Sequence, residues 1–189
     1  KPLCSNFWFE TDAVKISYTA QIKPKDLPSD ASIQHTPGIF QKEIKKKYEL
    51  RVTCFGDYIV SAKINSQNHK DGIIDWRAIR EKKMLIEEYK LPTSIEFKIR
   101  AFMRQIGIVF GTFDFIVTPD DQYIFLEVNE QGQFFWIEEH NPKIKMLDIF
   151  VNFILNKSPH FEWDKQHSRH TIKQYRSKAE KIYKENMDK

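Results

Sequence analysis

The stretch FLEVNEQGQFFWIEE, residues 125–139, places a carboxylate and a carboxamide among apolar and aromatic side chains. Glu127 and Asn129 are two residues apart, so on a β-strand both would project from the same face of the sheet. A buried carboxylate without a partner is energetically costly. The pattern therefore predicts that a positively charged group lies beside Glu127.

A second carboxylate comes from the preceding strand of a predicted hairpin, GTFDFIVT-PDDQ-YIFLEVN. The turn of this hairpin would place Thr118 opposite Tyr123. Counting back from that pair places Asp114 opposite Glu127, on the face that also carries Asn129. The three side chains would then converge within roughly 5–7 Å, given the spacing of paired strands.

The chemistry that these three side chains would support is the binding of a hard divalent cation. Two opposed carboxylates repel each other unless a cation lies between them. Asp114, Glu127 and Asn129 offer only oxygen ligands, which favours Mg²⁺ over zinc. The alternative interpretation is an exposed sheet face whose carboxylates are hydrated and bind no metal.

Hydrophobic periodicity and turn signals predict the strands that position these residues. Besides the acidic hairpin, the predicted strands are a half-buried strand over 14–22, a short buried strand over 38–44, and a hairpin over 49–64. The second hairpin turns at Gly56 and Asp57. Residues 65–90 are charged and irregular. Antiparallel hairpins separated by helices indicate an α+β fold.

Two helices are predicted to flank the acidic hairpin. The first begins at Thr93, which would form a capping box with Glu96, and ends at Gly107. The second begins at Asn141 and Pro142. Its predicted buried residues are Ile144, Leu147, Val151 and Ile154.

The last part of the chain is predicted to be an extension of the main fold. A basic amphipathic helix runs from about Ser168 to the C-terminus. Its apolar stripe consists of Ile172, Tyr175, Ala179 and Ile182. Such a stripe needs an apolar partner, either its own domain or a second subunit. The prediction therefore divides the chain into a main domain over 1–156 and a helical extension over 157–189.

Composition limits the class of protein. The chain of 189 residues is 41% hydrophobic and 14% aromatic, which is enough for a packed core and argues against a disordered chain. No run of 18 apolar residues is present, so no membrane span is expected. The net charge of +4 lies in clusters, which are more often solvated surfaces than nucleic-acid sites, so nucleic acid is not the expected ligand. An anionic ligand such as a nucleotide or an acidic peptide fits these clusters equally well. Two cysteines without metal or redox spacing indicate reduced thiols in a cytoplasmic protein.

The stretch FGTFDFIVTPDDQYIFLEVNEQGQFFWIE resembles the metal-binding end of an ATP-grasp ligase. More narrowly, it is similar to the enzymes that make graspetides, namely microviridin-type ligases and grasp-with-spasm maturases. PGIFQKEIKKKYELRVTCFGDYIVSAKINSQ resembles the family's hinge and central hairpin, and both DWR (75–77) and the initial KPL resemble further motifs. Asp121 replaces the common turn glycine and Glu130 replaces a proline, but neither position is a presumed ligand. The resemblance covers Lys1 to about Asn156 and implies the C-terminal portion of an ATP-grasp fold, with the amino-terminal part missing.

The resemblance also implies roles for individual residues. Arg51 would be the catalytic residue, facing the γ-phosphate of ATP and the acyl-phosphate formed from it. The implied ATP contacts are Lys1 at the phosphates, the backbone of Gln41, Lys42, Glu43 and Ile44 at the adenine, and Glu49 at the ribose. The implied peptide contacts are Asn65, Ser66, Gln67 and Arg77, and the implied Mg²⁺ ligands are Asp114, Glu127 and Asn129. As alternatives, Arg51 would pair with a sheet carboxylate, Glu49 would be a strand-edge charge, and Arg77 a surface arginine beside Trp76.

The function implied by the resemblance is ATP-dependent peptide crosslinking with Mg²⁺. Acidic side chains of a ribosomally made precursor peptide would be activated as acyl-phosphates and joined to Ser, Thr or Lys as esters or amides. The alternatives are another ATP-grasp carboxylate–amine ligase, such as a glutamate ligase, and a non-catalytic peptide-binding module. The expected partners are the precursor peptide and a second copy of the chain.

Overall fold

A computed structural model describes residues 7–35, 38–79 and 84–187 of the chain. Within these ranges the chain forms a two-stranded hairpin, a five-stranded antiparallel sheet and five α-helices, which confirms the predicted α+β class. None of the helices in this described part is both long and apolar enough to cross a membrane.

The five-stranded sheet contains both predicted hairpins. The small hairpin pairs β1 (Phe7–Glu10) with β2 (Ala13–Ile16). The strands of the large sheet are β3 (Tyr48–Phe55), β4 (Tyr58–Ile64), β5 (Ile86–Glu88), β6 (Phe110–Val117) and β7 (Tyr123–Asn129). Their order across the sheet is β5-β4-β3-β6-β7, and every neighbouring pair is antiparallel. The first strand of each hairpin therefore lies at the centre, β3 beside β6.

Helices cover both faces of the large sheet. They are α1 (Asp30–His35), α2 (Thr93–Ile106), α3 (Phe135–His140), α4 (Met146–Asn156) and α5 (Ile172–Met187). α2 packs on one face through a core that includes Leu50, Ile99 and Met103. α3 and α4 pack on the opposite face through a core that includes Ile64 and Ile137.

The two faces of β3 differ in chemistry because successive side chains point to opposite faces. Leu50 and Val52 face α2, whereas Glu49, Arg51 and Thr53 project from the other face. All eight residues of β3 are buried, so these three polar side chains are buried as well. Beneath α3 and α4 the same face is apolar over β4 and β5. The sheet thus presents a polar strip that is buried along β3 and half-buried at Asp114 on β6 and at Glu127 and Asn129 on β7.

The segment after α4 joins the same core. The amide of Asp57, in the turn between β3 and β4, donates a hydrogen bond to the Pro159 carbonyl at 2.7 Å. Phe161 is buried in the cluster beneath α3 and α4. The indole Nε1 of Trp163 donates to the buried Asp148 of α4 at 2.7 Å. Apolar contacts and hydrogen bonds therefore hold this segment on the main fold.

We expect Gly56→Ala to destabilise the full-length protein much more than Gly107→Ala. Both glycines have positive φ angles, 61° and 73°. A Cβ at Gly56 would lie 2.1 Å from the Pro159 carbonyl oxygen, whereas a Cβ at Gly107 would meet no atom within 4 Å. The expected loss is about 2–5 kcal/mol at Gly56 and about 1–2 kcal/mol at Gly107. Chemical denaturation measures both, and equal losses would contradict the contact with Pro159.

The predicted C-terminal helix is present as α5, but it begins at Ile172 rather than near Ser168. Ile172 at its start is half-buried, and its amide donates to the Glu138 carboxylate at 2.9 Å. Further along the predicted apolar stripe, Tyr175 and Ile182 are 44% and 48% exposed. Only the first turn of the stripe is therefore covered by the described residues.

Two predicted strands differ from the structure. The strand predicted over 14–22 is shorter, ends at Ile16 and is exposed rather than half-buried. The strand predicted over 38–44 is wrong, because residues 39–47 are irregular and Phe40 is 51% exposed. No strand in the described ranges pairs with residues 39–46. An apolar segment forms a strand only where a second strand is available to pair with it.

The cap of α2 also differs from the prediction. α2 begins at Thr93 as predicted and ends at Ile106 with the predicted Gly107 as its C-cap, but the capping box is wrong. The N-cap residue is Pro92, whose carbonyl accepts the amides of Ile95 and Glu96 at 2.9 and 3.1 Å. Thr93 is already the first helical residue, one position too late for its hydroxyl to cap the helix.

The helix predicted from Asn141 begins at Met146 instead. Asn141 lies at the end of α3, a helix that the sequence pattern did not predict. The predicted buried face is confirmed at Ile144, which is 3% exposed, but is wrong at Ile154, which is 52% exposed. Within the helix, the buried positions are Met146, Asp148 and Ile149. The segment MLDIFVNFIL is apolar on nearly every side, so periodicity could not select the buried face.

Candidate active site

Arg51 lies in the middle of the polar strip and pairs with Asp114. The two residues are directly opposite each other on β3 and β6. Arg51 Nη1 donates to both carboxylate oxygens of Asp114, at 2.7 and 2.6 Å, and Arg51 is only 6% exposed. This pairing matches the alternative interpretation of Arg51, and it also places the guanidinium beside the candidate metal ligands.

The other end of the guanidinium holds the loop that follows β7. Arg51 Nη2 donates to the carbonyls of Gly132 and Gln133, at 2.7 and 3.2 Å. The indole of Trp136 donates to the same Gln133 carbonyl at 2.8 Å. Within the described residues, the buried Nε of Arg51 has no hydrogen-bond partner.

The structure brings Asp114, Glu127 and Asn129 together. Asp114 lies opposite Glu127 in the register of β6 and β7, and the Asn129 amide donates to Asp114 Oδ2 at 3.3 Å. Glu127 and Asn129 are half-buried. The described ranges hold no group of three or more His, Cys, Asp and Glu side chains that could hold a metal ion. The candidate metal set therefore consists of two carboxylates and one carboxamide.

The register of this hairpin was predicted correctly at the site and wrongly at the turn. Tyr123 lies opposite Val117, not Thr118. Thr118 belongs to the turn, where its amide donates to the Gln122 carbonyl at 3.0 Å and its hydroxyl accepts the Gln122 amide at 2.9 Å. A β-bulge at Leu126 then shifts the pairing by one residue and restores the predicted pair at Asp114.

A second buried polar group lies at the start of β3. Lys46 Nζ donates to Glu49 Oε1 at 2.8 Å and to the Ile74 carbonyl at 2.9 Å. The side chains of Lys46 and Glu49 are 7% and 11% exposed. Burial raises the pKa of Glu49, and the Lys46 ammonium and the Ser66 hydroxyl act against this shift. The group links β3 to the loop that contains residues 75–77.

That loop is held by an ion pair and a stacked pair of indoles. Arg77 donates to both oxygens of Asp75, at 2.9 and 2.5 Å, and the Thr19 amide donates to Asp75 at 2.9 Å. Burial alone would raise the pKa of Asp75, but these hydrogen bonds outweigh it and lower the pKa to about 2. Trp76 stacks on Trp136 with ring centroids 4.7 Å apart. The Arg77 loop therefore packs against the loop that Arg51 holds.

Comparison with solved structures identifies the fold. No protein-family model matches the chain, and no curated protein matches it in sequence. A RiPP-associated ATP-grasp ligase from Chryseobacterium gregarium, solved with ADP and a leader and core peptide, has 31% sequence identity and a TM-score of 0.63; the match covers 70% of this chain and 40% of that chain. The macrocyclase MdnC from Microcystis aeruginosa, solved with the precursor peptide MdnA, has 31% identity and a TM-score of 0.68, covering 84% of this chain and 46% of that chain.

The macrocyclase MdnB from the same organism has 28% identity and a TM-score of 0.53, covering 75% of this chain and 41% of that chain. In sequence and in fold, the chain is similar to graspetide-type ATP-grasp ligases. The predicted ATP-grasp fold is therefore confirmed. The chain spans less than half the length of each of these three solved relatives.

The residues predicted to contact the nucleotide are Lys1, the hinge at 41–44 and Glu49. Lys1 lies outside the described residues. The hinge expected at Gln41, Lys42, Glu43 and Ile44 is an irregular segment that leads into β3. Its first three side chains are exposed, and only Ile44 is half-buried. The expected contacts with adenine use backbone groups, which the exposure of these side chains does not test. The role of these four residues therefore stays a prediction.

The peptide-side residues predicted between β4 and β5 are not equally close to the polar strip. Ser66 is fully buried and its hydroxyl interacts with Glu49. Asn65 donates instead to the exposed Glu87 at 3.1 Å. Gln67 donates within its own loop, to Ser66 Oγ and to the Ile73 carbonyl, at 3.1 and 3.3 Å. Ser66 is therefore the member of this trio that the structure joins to the Glu49 group.

Sequence reasoning missed Lys46 and the carbonyls of Gly132 and Gln133. Lys46 lies in the run KEIKKK, which resembles a solvated charged surface. A signal was available, because Lys46 precedes Glu49 by three residues and a buried glutamate requires a cation. Backbone carbonyls that bind Arg51 leave no signal in side-chain types.

Proposed function

We propose that the chain is part of an ATP-dependent ligase that crosslinks side chains of a ribosomally made precursor peptide. The observation that carries the proposal is the polar strip, where Arg51 and Asp114 lie beside Glu127 and Asn129 on one sheet face. Two relatives of 31% identity, which were solved with precursor-derived peptides, support a peptide as the substrate.

The proposed reaction has two steps. A carboxylate oxygen of an Asp or Glu side chain attacks the γ-phosphorus of ATP, which forms an acyl-phosphate and releases ADP. A Ser or Thr hydroxyl, or a Lys amine, then attacks the acyl carbon, loses its proton and displaces phosphate. The product is an ester or an amide, and one molecule of water has been lost from the peptide.

Arg51 would serve both steps by neutralising negative charge. Its planar guanidinium can bind two phosphate oxygens at once, which a point charge cannot do. Carbonyl contacts to Gly132 and Gln133 restrain the guanidinium, and preorganised donors of this kind stabilise developing charge.

The donor set of Asp114, Glu127 and Asn129 fits Mg²⁺. Both carboxylates and the amide oxygen are hard ligands, and two adjacent carboxylates need a cation between them. Arg51 meets this need for Asp114 in the described arrangement. When bound, Mg²⁺ would neutralise phosphate charge and orient the nucleotide. Glu49 and the backbone of 41–44 would bind the ribose and the adenine, with Lys1 at the phosphates.

In this proposal, the extension over 157–189 is an accessory element that takes no part in the chemistry. Its first part is anchored on the core through Phe161 and Trp163. The exposed stripe of α5 with Tyr175 and Ile182 is the surface on which a second subunit would pack.

Binding of ADP with Mg²⁺ to the full-length enzyme tests the nucleotide half of the proposal. At about 100 times the dissociation constant, we expect the melting temperature to rise by about 2–4 °C, and the effect of Mg²⁺ to disappear with EDTA. A non-catalytic module without a nucleotide site would show no shift. With precursor peptide and ATP, loss of one water per bond supports crosslinking, whereas addition of glutamate mass would identify a glutamate ligase.

A further inference from the structure

Lys46 is buried although it belongs to a run of charged residues. Its neighbours Lys45 and Lys47 are exposed, whereas the Lys46 side chain is 7% exposed. A buried ammonium is costly unless it is paired and hydrogen-bonded. Lys46 meets both conditions through Glu49 and the Ile74 carbonyl, at 2.8 and 2.9 Å.

The two acceptors of Lys46 belong to different parts of the site. Glu49 lies on β3, two residues before Arg51, so both side chains project from the polar face. Ile74 directly precedes Asp75 and the peptide-side Arg77. One ammonium group therefore joins the nucleotide side of the site to the loop on the peptide side.

We propose that Lys46 is a positioning residue that holds the Glu49 carboxylate in its ionised form toward the nucleotide and ties it to the Arg77 loop. The inference rests on the proposed function, because it takes Glu49 as the acceptor for the ribose hydroxyls. Lys46 touches neither substrate nor the reacting atoms; it acts through Glu49.

The electrostatics around Glu49 indicate what removing Lys46 would do. Burial raises the pKa of Glu49, Lys46 and the Ser66 hydroxyl lower it, and the nearby Asp75 raises it further. Arg77 is paired with Asp75 and offsets part of that negative charge. Without Lys46, Glu49 would bind a proton at higher pH. A protonated carboxyl is a poorer acceptor for ribose hydroxyls.

The test is the pH dependence of ADP binding in the full-length enzyme. Calorimetry with ADP and Mg²⁺ at pH 8 and pH 6 is compared for wild type and Lys46→Met. From pH 8 to pH 6, we expect the affinity of Lys46→Met for ADP to fall by a factor about tenfold larger than that of wild type. The change in the dissociation constant between pH 8 and pH 6 is divided by the change measured for wild type. This ratio removes the effect of protonation of the nucleotide itself. Lys45→Met, at an exposed neighbouring lysine, should follow wild type.

A double variant separates positioning from folding. Lys46→Met with Glu49→Gln removes the titrating carboxyl and the unpaired buried charge, so we expect the pH dependence to return to that of wild type. Lys46→Gln is measured in the same way if Lys46→Met does not fold. A single-variant profile that coincides with wild type, or an extra pH dependence that persists in the double variant, overturns the inference. Wild type that binds no ADP at either pH overturns the proposed function itself.

Discussion

Glu127→Gln in the full-length enzyme should lower ADP release and peptide crosslinking by at least about 100-fold while the fold is preserved. Glutamine keeps the shape of the side chain but removes the negative charge that a hard cation requires. Glu127 is half-buried and lies next to the bulge of β7, which is an edge strand of the sheet. The effect of the substitution on packing should therefore be small. Steady-state rates, peptide mass and a thermal melt measure the two reactions and the fold.

Glu130→Gln is the matched control for this substitution. Glu130 is exposed, follows β7 directly and undergoes the same change of charge. We expect it to keep nearly the full rate. Wild-type turnover in Glu127→Gln at limiting Mg²⁺ would remove Glu127 from the metal site. If both variants lost the same share of activity, the cause would be the change in net charge and not the loss of a metal ligand.

The acidic site could be predicted because its residues are close in sequence and follow the period of a strand. Asp114 and Glu127 belong to one hairpin, and turn residues limit its register to a few possibilities. The prediction nevertheless contained two errors that cancel. Thr118 was assigned to the strand rather than the turn, and the bulge at Leu126 was not foreseen. Without the bulge, Asp114 would lie opposite Leu126 and the two carboxylates would not be paired.

Contacts between distant parts of the chain could not be predicted in the same way. Arg51 binds a carbonyl 81 residues away, and Lys46 binds one 28 residues away. Such bonds depend on the path of irregular loops, which periodicity does not determine. The same limit explains the wrong strand over 38–44, since apolar residues indicate burial but do not name the partner strand.

Arg51→Lys should separate catalysis from binding. Lysine keeps the positive charge but lacks the planar fork that joins Asp114 to the Gly132 carbonyl. The charge that shifts from ATP to the acyl-phosphate would then meet one mobile ammonium instead of an oriented guanidinium. We expect kcat to fall by about 10–1,000-fold while the KM for ATP changes little. ADP release and peptide crosslinking are measured separately in the full-length variant.

Arg100→Lys provides the control for the loss of an arginine fork elsewhere in the domain. Arg100 of α2 donates to Glu96 and to the Asp57 carbonyl, both at 3.1 Å, and belongs to the helix on the opposite face of the sheet. Its replacement should leave kcat unchanged. If Arg51→Lys raises the KM for ATP at constant kcat, Arg51 only holds substrate. If both variants lose kcat equally, the loss reflects the stability of the domain, and the pairing with Asp114 is then a structural ion pair.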